Sequence, residues 1–278
     1  MMVLFQNRIL YMPGIPFGSR REELSPTHDT LPWSFHLHRL KTSRHSLAVV
    51  TTTHGTPAPT KSHTLILYFQ GNAASPPPRI PELSRVLKAL DTKNAHYTFL
   101  YPCYRGFWKS TGSPTYAAIG NDTIEYLEHV LEAYPDATRI VLWGQSIGCP
   151  ILLHGLAGTP SLKTVDLVLE TPFTSTMDMI PALWPERWLP YHYLGPFLVS
   201  RWDGVRALGT AGAKVRRCLV VRAEKDEIVP EEVGRKMEDA VMGLVGGEKE
   251  IVVVKGALHT MAVEKRMGRE AVSKFLNS

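Results

Sequence analysis

The sequence has little cysteine, and the cysteines it has are not spaced for disulfide or metal links. Cys103, Cys149 and Cys218 are the three among 278 residues, and no two of them form a CxxC spacing. An odd count without that spacing argues against a disulfide framework and against a cysteine-based zinc site. We therefore expect three buried, reduced thiols in an intracellular protein.

Long runs of one charge and long apolar runs are also missing. The net charge is +5, but Lys and Arg are scattered and no five stand together, which is typical of a solvated surface. We predict no nucleic-acid partner. No stretch approaches the ~20 apolar residues of a spanning helix, and residues 1–14 lack the parts of a signal peptide. The sequence predicts a soluble chain, with peripheral membrane contact through residues 4–11 as an alternative.

Signals for a bound metal or cofactor are equally sparse. His36 and His38 lie two residues apart on one predicted strand and could bind a metal on one face, but no third ligand is evident nearby. The glycines that flank Ser146 are not accompanied by the lysine of a phosphate-binding loop. We predict no metal and no cofactor.

What the chain does have is a regular alternation of apolar strands and helical patterns. Near-continuous runs of β-branched, Leu and aromatic residues, typical of strands covered on both faces, occur at 63–69, 96–101, 139–143, 165–170, 218–221 and 250–255. Apolar residues at helical spacing occur at 80–90, 118–134, 150–156, 233–245 and 261–276. The alternation predicts an α/β fold with a mostly parallel, doubly wound sheet and helices on both faces.

We expect one domain over residues 1–278, with elements added before the parallel strands. Residues 1–32 form an N-terminal extension. Residues 33–40 and 46–53 follow as two antiparallel strands joined by a polar turn.

One internal stretch interrupts the alternation. Residues 176–205 are rich in Pro, Trp and Tyr and are too long for an ordinary loop, which predicts a small lid of short helices. Trp184 and Trp188 of this lid are candidates to cover a lipid-like tail. Simple cover of the core is an equal alternative for them.

The strand at 139–143 leads into Gly144-Gln145-Ser146-Ile147-Gly148, and a helical pattern follows. In that context G-x-S-x-G is the nucleophile elbow of a hydrolase. The turn is so tight that side chains two positions before and after the serine would clash, which explains the two glycines. The serine hydroxyl is then exposed at the start of a helix, where developing negative charge is stabilised.

A serine nucleophile requires a base and an acid, which follow in that fold in the order acid, then histidine. Asp226 follows the fifth parallel strand and His259 the sixth, both at the edge where ligands bind in open α/β sheets. His259 would take the serine proton, and Asp226 would fix its tautomer. Glu224 and Glu227 are the rival acids.

The loop after the strand at 63–69 is the expected source of one oxyanion donor. It begins Gln70-Gly71-Asn72, and the glycine allows close approach of the backbone. We predict the backbone N–H groups of Asn72 and Ile147 as the oxyanion hole. A Gly-Asn turn without a catalytic role is the alternative.

Six motifs occur together in one order. They are Tyr68-Phe69-Gln70-Gly71-Asn72-Ala73, Tyr104-Arg105-Gly106-Phe107, Gly112-Ser113-Pro114, Gly144-Gln145-Ser146-Ile147-Gly148, Glu170-Thr171-Pro172-Phe173-Thr174-Ser175 and Asp226-Glu227-Ile228-Val229-Pro230. In these motifs the chain resembles the bud-emergence-type branch of α/β hydrolases, and the resemblance covers residues 60–275. That branch is close to lysophospholipid hydrolases and protein depalmitoylases.

The resemblance implies an α/β-hydrolase fold and Ser146, Asp226 and His259 as the triad. The chain departs from the pattern at Gln70, where the family usually has His, and at Trp108, where it usually has Gly. Both residues, together with Phe173, are candidates for the substrate pocket.

The sequence therefore predicts a serine hydrolase that cleaves an ester or thioester bond, with a small-molecule or acylated substrate of lipid-like character. Two other functions stay open. The same triad also cleaves amides, so an aminopeptidase- or amidase-like hydrolase is one alternative. The substitutions at Gln70 and Trp108 leave a catalytically weak binding or signalling member of the fold as the other. The oligomeric state is not indicated.

Overall fold

A computed structural model of the chain describes residues 2–25, 28–73, 75–183 and 197–278. Its central feature is an eight-stranded sheet in the order β1-β2-β4-β3-β5-β6-β7-β8. The strands are β1 (Ser34–Arg39), β2 (Ser46–His54), β3 (Ser62–Phe69), β4 (Ala95–Pro102), β5 (Arg139–Gln145), β6 (Val165–Glu170), β7 (Val215–Ala223) and β8 (Glu248–Val254). β1 and β2 are antiparallel additions at one edge, and β3 to β8 pair in parallel.

Helices follow most of the parallel strands. They are α1 (Met2–Tyr11), α2 (Ile80–Lys88), α3 (Tyr116–Ala133), α4 (Gly148–Gly158), α5 (Thr176–Leu183), α6 (Gly204–Ala211), α7 (Glu231–Met242) and α8 (Arg266–Asn277). α2 packs on α8, whereas α3, α4, α6 and α7 contact one another in series. The predicted α/β fold with a mostly parallel sheet is confirmed.

The core lies in the central strands, as their sequences require. Leu65, Ile66 and Leu67 on β3 are completely buried although they alternate between the two faces of the sheet. Each such side chain contributes about 1.5–3 kcal/mol through burial. At the edge of the sheet, β1 leaves Phe35 and Leu37 partly exposed.

Three helices differ from the prediction. The helix predicted over 261–276 begins only at Arg266, because the buried Ala262 and Val263 sit in a loop after a short 3₁₀ turn. These two residues are apolar because they are buried, although their backbone is not helical. α1 and α6 were not predicted as helices. Asp203, whose side chain accepts a hydrogen bond from the Arg206 N–H (2.9 Å), is the N-cap signal that marks α6.

The N-terminal extension is packed into the molecule. Tyr11, the last residue of α1, is fully buried, and its hydroxyl accepts a hydrogen bond from Trp202 Nε1 (2.9 Å). Trp202 also packs on Tyr116 and His154. Trp202, which falls within the predicted lid stretch, is itself buried and part of the core. Among the described helices, none has the length and apolar character that a bilayer-crossing segment requires.

Candidate active site

The sequence-predicted site residues gather at one edge of the sheet. Ser146 follows β5, Asp226 follows β7, and His259 follows β8, while Asn72 lies in the loop after β3. These four strands are parallel, so their carboxyl ends face the same side of the molecule. Residues far apart in the chain are thereby brought together at the carboxyl-end edge of the sheet.

Ser146 adopts a backbone conformation that residues other than glycine seldom adopt. Its φ is 51°, in the left-handed region. Its N–H donates to the carbonyl of Glu170 on the neighbouring strand (2.9 Å), and its carbonyl accepts from Cys149 N–H (2.9 Å). The surrounding chain therefore holds the strained residue in place, as is common at functional sites.

The two elbow glycines are required by the close approach of the backbone. A Cβ on Gly144 would lie 2.4 Å from Leu152 Cδ2 and 2.8 Å from Cys149 Cα. A Cβ on Gly148 would lie 2.0 Å from the carbonyl oxygen of Phe69. The steric reason predicted for both glycines is thus present, with α4 and β3 as the obstructing elements.

Replacing Gly148 with Ala is expected to destabilise the protein by about 1–3 kcal/mol and to impair activity. The added methyl group must displace backbone, and the displaced segment leads directly into the predicted oxyanion loop. Urea unfolding and ester hydrolysis would measure both effects. Gly209→Ala on α6, where nothing lies within 4 Å of the new Cβ, is the matched control. Equal stability of the two variants would contradict this account.

Asp226 and His259 form a close pair. His259 Nδ1 lies 2.9 Å from Asp226 Oδ1 and 2.8 Å from Oδ2. Asp226 Oδ1 also accepts hydrogen bonds from the N–H groups of Ile228 (2.9 Å) and Val229 (2.7 Å). The carboxylate is thus held by its own loop in a position that orients the imidazole ring.

The rival acids contact the backbone instead of the ring. Glu224 accepts from the Gly256 N–H (2.7 Å), and Glu227 accepts from the His259 N–H (2.9 Å). Both glutamates tie the Asp226 loop to the His259 loop. Of the three acids, Asp226 alone has the contact that the predicted role needs.

Ser146 and His259 are both largely buried, at 8% and 5% exposed. Within the described chain no hydrogen bond joins Ser146 Oγ to His259. Such bonds are often loose before substrate binds and tighten in the complex. The pair Asp226–His259 is therefore assembled, whereas the catalytic role of the three residues stays a prediction.

The two predicted oxyanion donors are available. Neither the Asn72 N–H nor the Ile147 N–H donates to an acceptor in the described part of the protein. The loop lies against the elbow, since a Cβ on Gly71 would be 3.6 Å from Ser146 Cβ. α1 holds it from the other side, because Ala73 N–H donates to the carbonyl of Tyr11 (3.0 Å). The sequence did not predict that the N-terminal extension supports this loop.

Gln70 stabilises the same loop. Its side chain accepts from the Tyr101 hydroxyl (2.6 Å) and donates to the Ala73 carbonyl (3.4 Å). Its own carbonyl accepts from the Tyr104 hydroxyl (2.8 Å). The Gln70 side chain thus joins the loop to β4 and braces the loop internally, and its role toward substrate stays a prediction.

The other pocket candidates are placed differently. Trp108 is buried with a φ of 42°, donates to the Glu22 carbonyl (2.8 Å) and packs on Phe35. Its described contacts are with the N-terminal segment and the sheet edge. Phe173 is buried in the loop after β6. Trp184 and Trp188 lie outside the described residues.

A buried ion pair beneath the site carries no sequence motif of its own. Arg79 donates to the carboxylate of Glu170, which is completely buried, and to the hydroxyl of Tyr68 (3.1 Å). Burial alone would lower the pKa of Arg79, but the charge of Glu170 and these hydrogen bonds raise it. The arginine is therefore permanently charged.

This ion pair links the loop that carries His259 to the loop that carries the predicted oxyanion donor Asn72. Arg79 Nη1 donates to the carbonyl of Thr260, the neighbour of His259 (3.2 Å). Through Tyr68, whose hydroxyl donates to Gln145 Oε1 (3.1 Å), it also reaches the oxyanion loop, because that same oxygen accepts from the Gly71 N–H (3.4 Å).

An eight-stranded, mostly parallel sheet with an elbow serine and an acid–histidine pair at its carboxyl edge defines the α/β-hydrolase class of proteins. Solved structures agree with this class. An esterase from Pyrococcus furiosus superposes with a TM-score of 0.66 over 92% of this chain and 93% of its own, at 17% identity. A carboxyl esterase from Tuber melanosporum gives a TM-score of 0.60 over 92% and 87%, at 15% identity.

Sequence comparison identifies the relatives. Protein bem46 of Schizosaccharomyces pombe is 30% identical over 236 residues, which cover 81% of this chain and 71% of that protein. The chain therefore belongs to the α/β-hydrolase family of bem46. Lysophosphatidylserine lipase ABHD12 of Gallus gallus is 28% identical over 63% of this chain. The chain spans about half the length of that lipase, 47%. No family model matches the chain.

Proposed function

We propose that this protein is a serine hydrolase that cleaves an ester or thioester bond through Ser146, His259 and Asp226. The observation that carries the proposal is the contact of His259 Nδ1 with both carboxylate oxygens of Asp226, at 2.8–2.9 Å. That contact leaves Nε2 as the free basic nitrogen of the ring. The elbow at Ser146 supplies the nucleophile at the same edge of the sheet.

The reaction proceeds in two halves. His259 Nε2 takes the proton of Ser146 Oγ while the oxygen attacks the acyl carbonyl. The N–H groups of Asn72 and Ile147 donate to the oxyanion that forms. Collapse expels the alcohol or thiol, which takes the proton from His259 and leaves the acyl group on Ser146. Water then repeats the sequence and releases the acid.

An acyl chain of lipid-like character is the proposed substrate class. Relatives described as lysophosphatidylserine lipases support it. Phe197 and Val199 also support it, because these apolar side chains are exposed next to α1, the helix that holds the oxyanion loop. The Val199 N–H donates to Gln6 Oε1 of α1 (2.6 Å).

Labelling with a fluorophosphonate probe tests the mechanism. We expect one adduct per chain on the wild type, read by intact mass, and none on Ser146→Ala, because only an oxygen next to a base is activated. Ser161→Ala, at an exposed serine outside the site, is the control and should label like wild type. No adduct on folded wild type, or equal labelling of Ser146→Ala, would contradict the proposal and favour a binding role.

Substrate class is tested separately, with wild-type enzyme that has not been exposed to the probe. Acyl esters and thioesters of p-nitrophenol and thiophenol should be cleaved faster than aminoacyl-naphthylamides. The reverse order would favour the amidase alternative while leaving the triad intact.

A further inference from the structure

A second group of titratable side chains lies at the edge of the sheet opposite the catalytic site. His63 and His96 are near the starts of β3 and β4 and face each other in register across the parallel pair. Asp136 lies in the turn between α3 and β5. The three are distant in the sequence and share no motif, so only the sheet brings them together.

Their ligand atoms are close enough for one ion. One nitrogen of each histidine and one oxygen of Asp136 lie within 4.8 Å of one another. His63 Nδ1 is 2.9 Å from Asp136 Oδ2, and the two imidazole rings stack with centroids 4.2 Å apart. Among the described residues this is the one such group, and it does not include His36 or His38.

The histidines have the surroundings of metal ligands. His63 Nε2 lies 3.0 Å from Thr98 Oγ1, an outer partner that fixes the ring and leaves Nδ1 facing Asp136. His96 is 7% exposed, and its Nδ1 is buried without a hydrogen-bond partner. An unpaired buried nitrogen is costly, and an ion bound at Nδ1 of His96 would satisfy it.

We propose that His63, His96 and Asp136 bind a divalent transition-metal ion of the zinc class. Two imidazoles and one carboxylate are the ligand types that zinc accepts, and water completes a tetrahedral set. Bonds of about 2.0–2.1 Å place tetrahedral ligands ~3.3 Å apart, so the group must close by up to about 1.5 Å. The rings must tilt out of their stack, and Asp136, whose side chain is 68% exposed, is free to move toward them.

Burial, followed by the neighbouring imidazole of His63, lowers the pKa of His96. Lys61 is the nearby cation, and its ammonium group donates to the Thr92 carbonyl (2.7 Å). The ion would join β3, β4 and the α3–β5 turn, and would stabilise the end of β3 opposite the oxyanion loop.

Zinc titration of the full chain, first stripped with a chelator, tests the site. We expect one Zn²⁺ per wild-type chain and a visible absorption band of tetrahedral Co²⁺. Asp136→Asn should weaken zinc at least about tenfold, because the amide keeps the hydrogen bond to His63 but loses the charge. A free zinc concentration about a hundred times the wild-type Kd should raise the Tm of wild type by about 5 °C. The same concentration should not raise the Tm of Asp136→Asn.

Two controls keep the result specific. Asp239→Asn, at an exposed aspartate on α7, should bind zinc like wild type. His96→Gln should lose the Co²⁺ band, and if it fails to fold the exposed Asp136 variant still decides the question. Equal zinc affinity of Asp136→Asn and wild type would overturn the proposal. So would binding that is lost only in His259→Ala, which would place the ion at the catalytic pair.

Discussion

Replacing Asp226 with Asn is expected to lower kcat for ester hydrolysis by about ten-thousandfold. An amide at this position still accepts the N–H groups of Ile228 and Val229, which contact Asp226 Oδ1. Its NH₂ group would then face His259 Nδ1, so the ring would place its proton on Nε2 and lose the lone pair that Ser146 needs. Initial rates with a short p-nitrophenyl ester measure the loss.

The two neighbouring glutamates supply matched controls. Glu224→Gln and Glu227→Gln keep an acceptor for the N–H groups of Gly256 and His259, so each should retain activity within about tenfold of wild type. A thousandfold loss of activity in either glutamine variant, with Asp226→Asn still active, would show that Asp226 is not the acid of the triad.

Replacing Arg79 with Met is expected to lower the free energy of unfolding by about 3–5 kcal/mol. The change leaves the carboxylate of Glu170 completely buried with Trp143 Nε1 (3.2 Å) as a remaining donor, and among the described residues no other cation pairs with it. Urea unfolding measures the loss. Arg235→Met on α7 is the control, because its partner Glu231 is a solvent-exposed residue one helical turn away, and its unfolding should match that of wild type.

A double variant separates stability from positioning. Arg79→Met combined with Glu170→Leu removes both charges, and we expect most of the lost stability to return. Activity should stay low, because the carbonyl of Thr260 and the hydroxyl of Tyr68 have still lost their donor. Full recovery of activity together with stability would show that the ion pair acts only on folding.

The parts of the site that could be predicted are those with a local chemical reason. Ser146 lies between two glycines on a strand-to-helix turn, and a Cβ at Gly144 would clash with the backbone of Cys149, which is nearby in the sequence. Asp226 and His259 each follow an apolar strand, and parallel strands end at a common edge. The sequence could not decide among Asp226, Glu224 and Glu227, because all three lie on the same short loop and only the contact with the His259 ring distinguishes them.

The parts that could not be predicted depend on contacts between distant segments. Arg79, just before α2, pairs with Glu170, the last residue of β6, across a sequence separation of 91 residues, and neither residue has a signature in its own neighbourhood. The support of the oxyanion loop by Tyr11 depends on how α1 lies on the domain. The helix predicted to begin at 261 begins at Arg266, since burial alone produces an apolar pattern.

The class of this protein could be predicted from its sequence. Strand and helix periodicity and the elbow at Ser146 reflect short-range constraints, and the order of acid and histidine can be read along the chain. Tertiary contacts settle which acid contacts the His259 ring, what holds the loops of His259 and Asn72, and which histidines meet at the opposite edge of the sheet. Those outcomes depend on strand order and register. In the sheet β4 lies between β2 and β3 and pairs with both, although it follows both of them in the sequence.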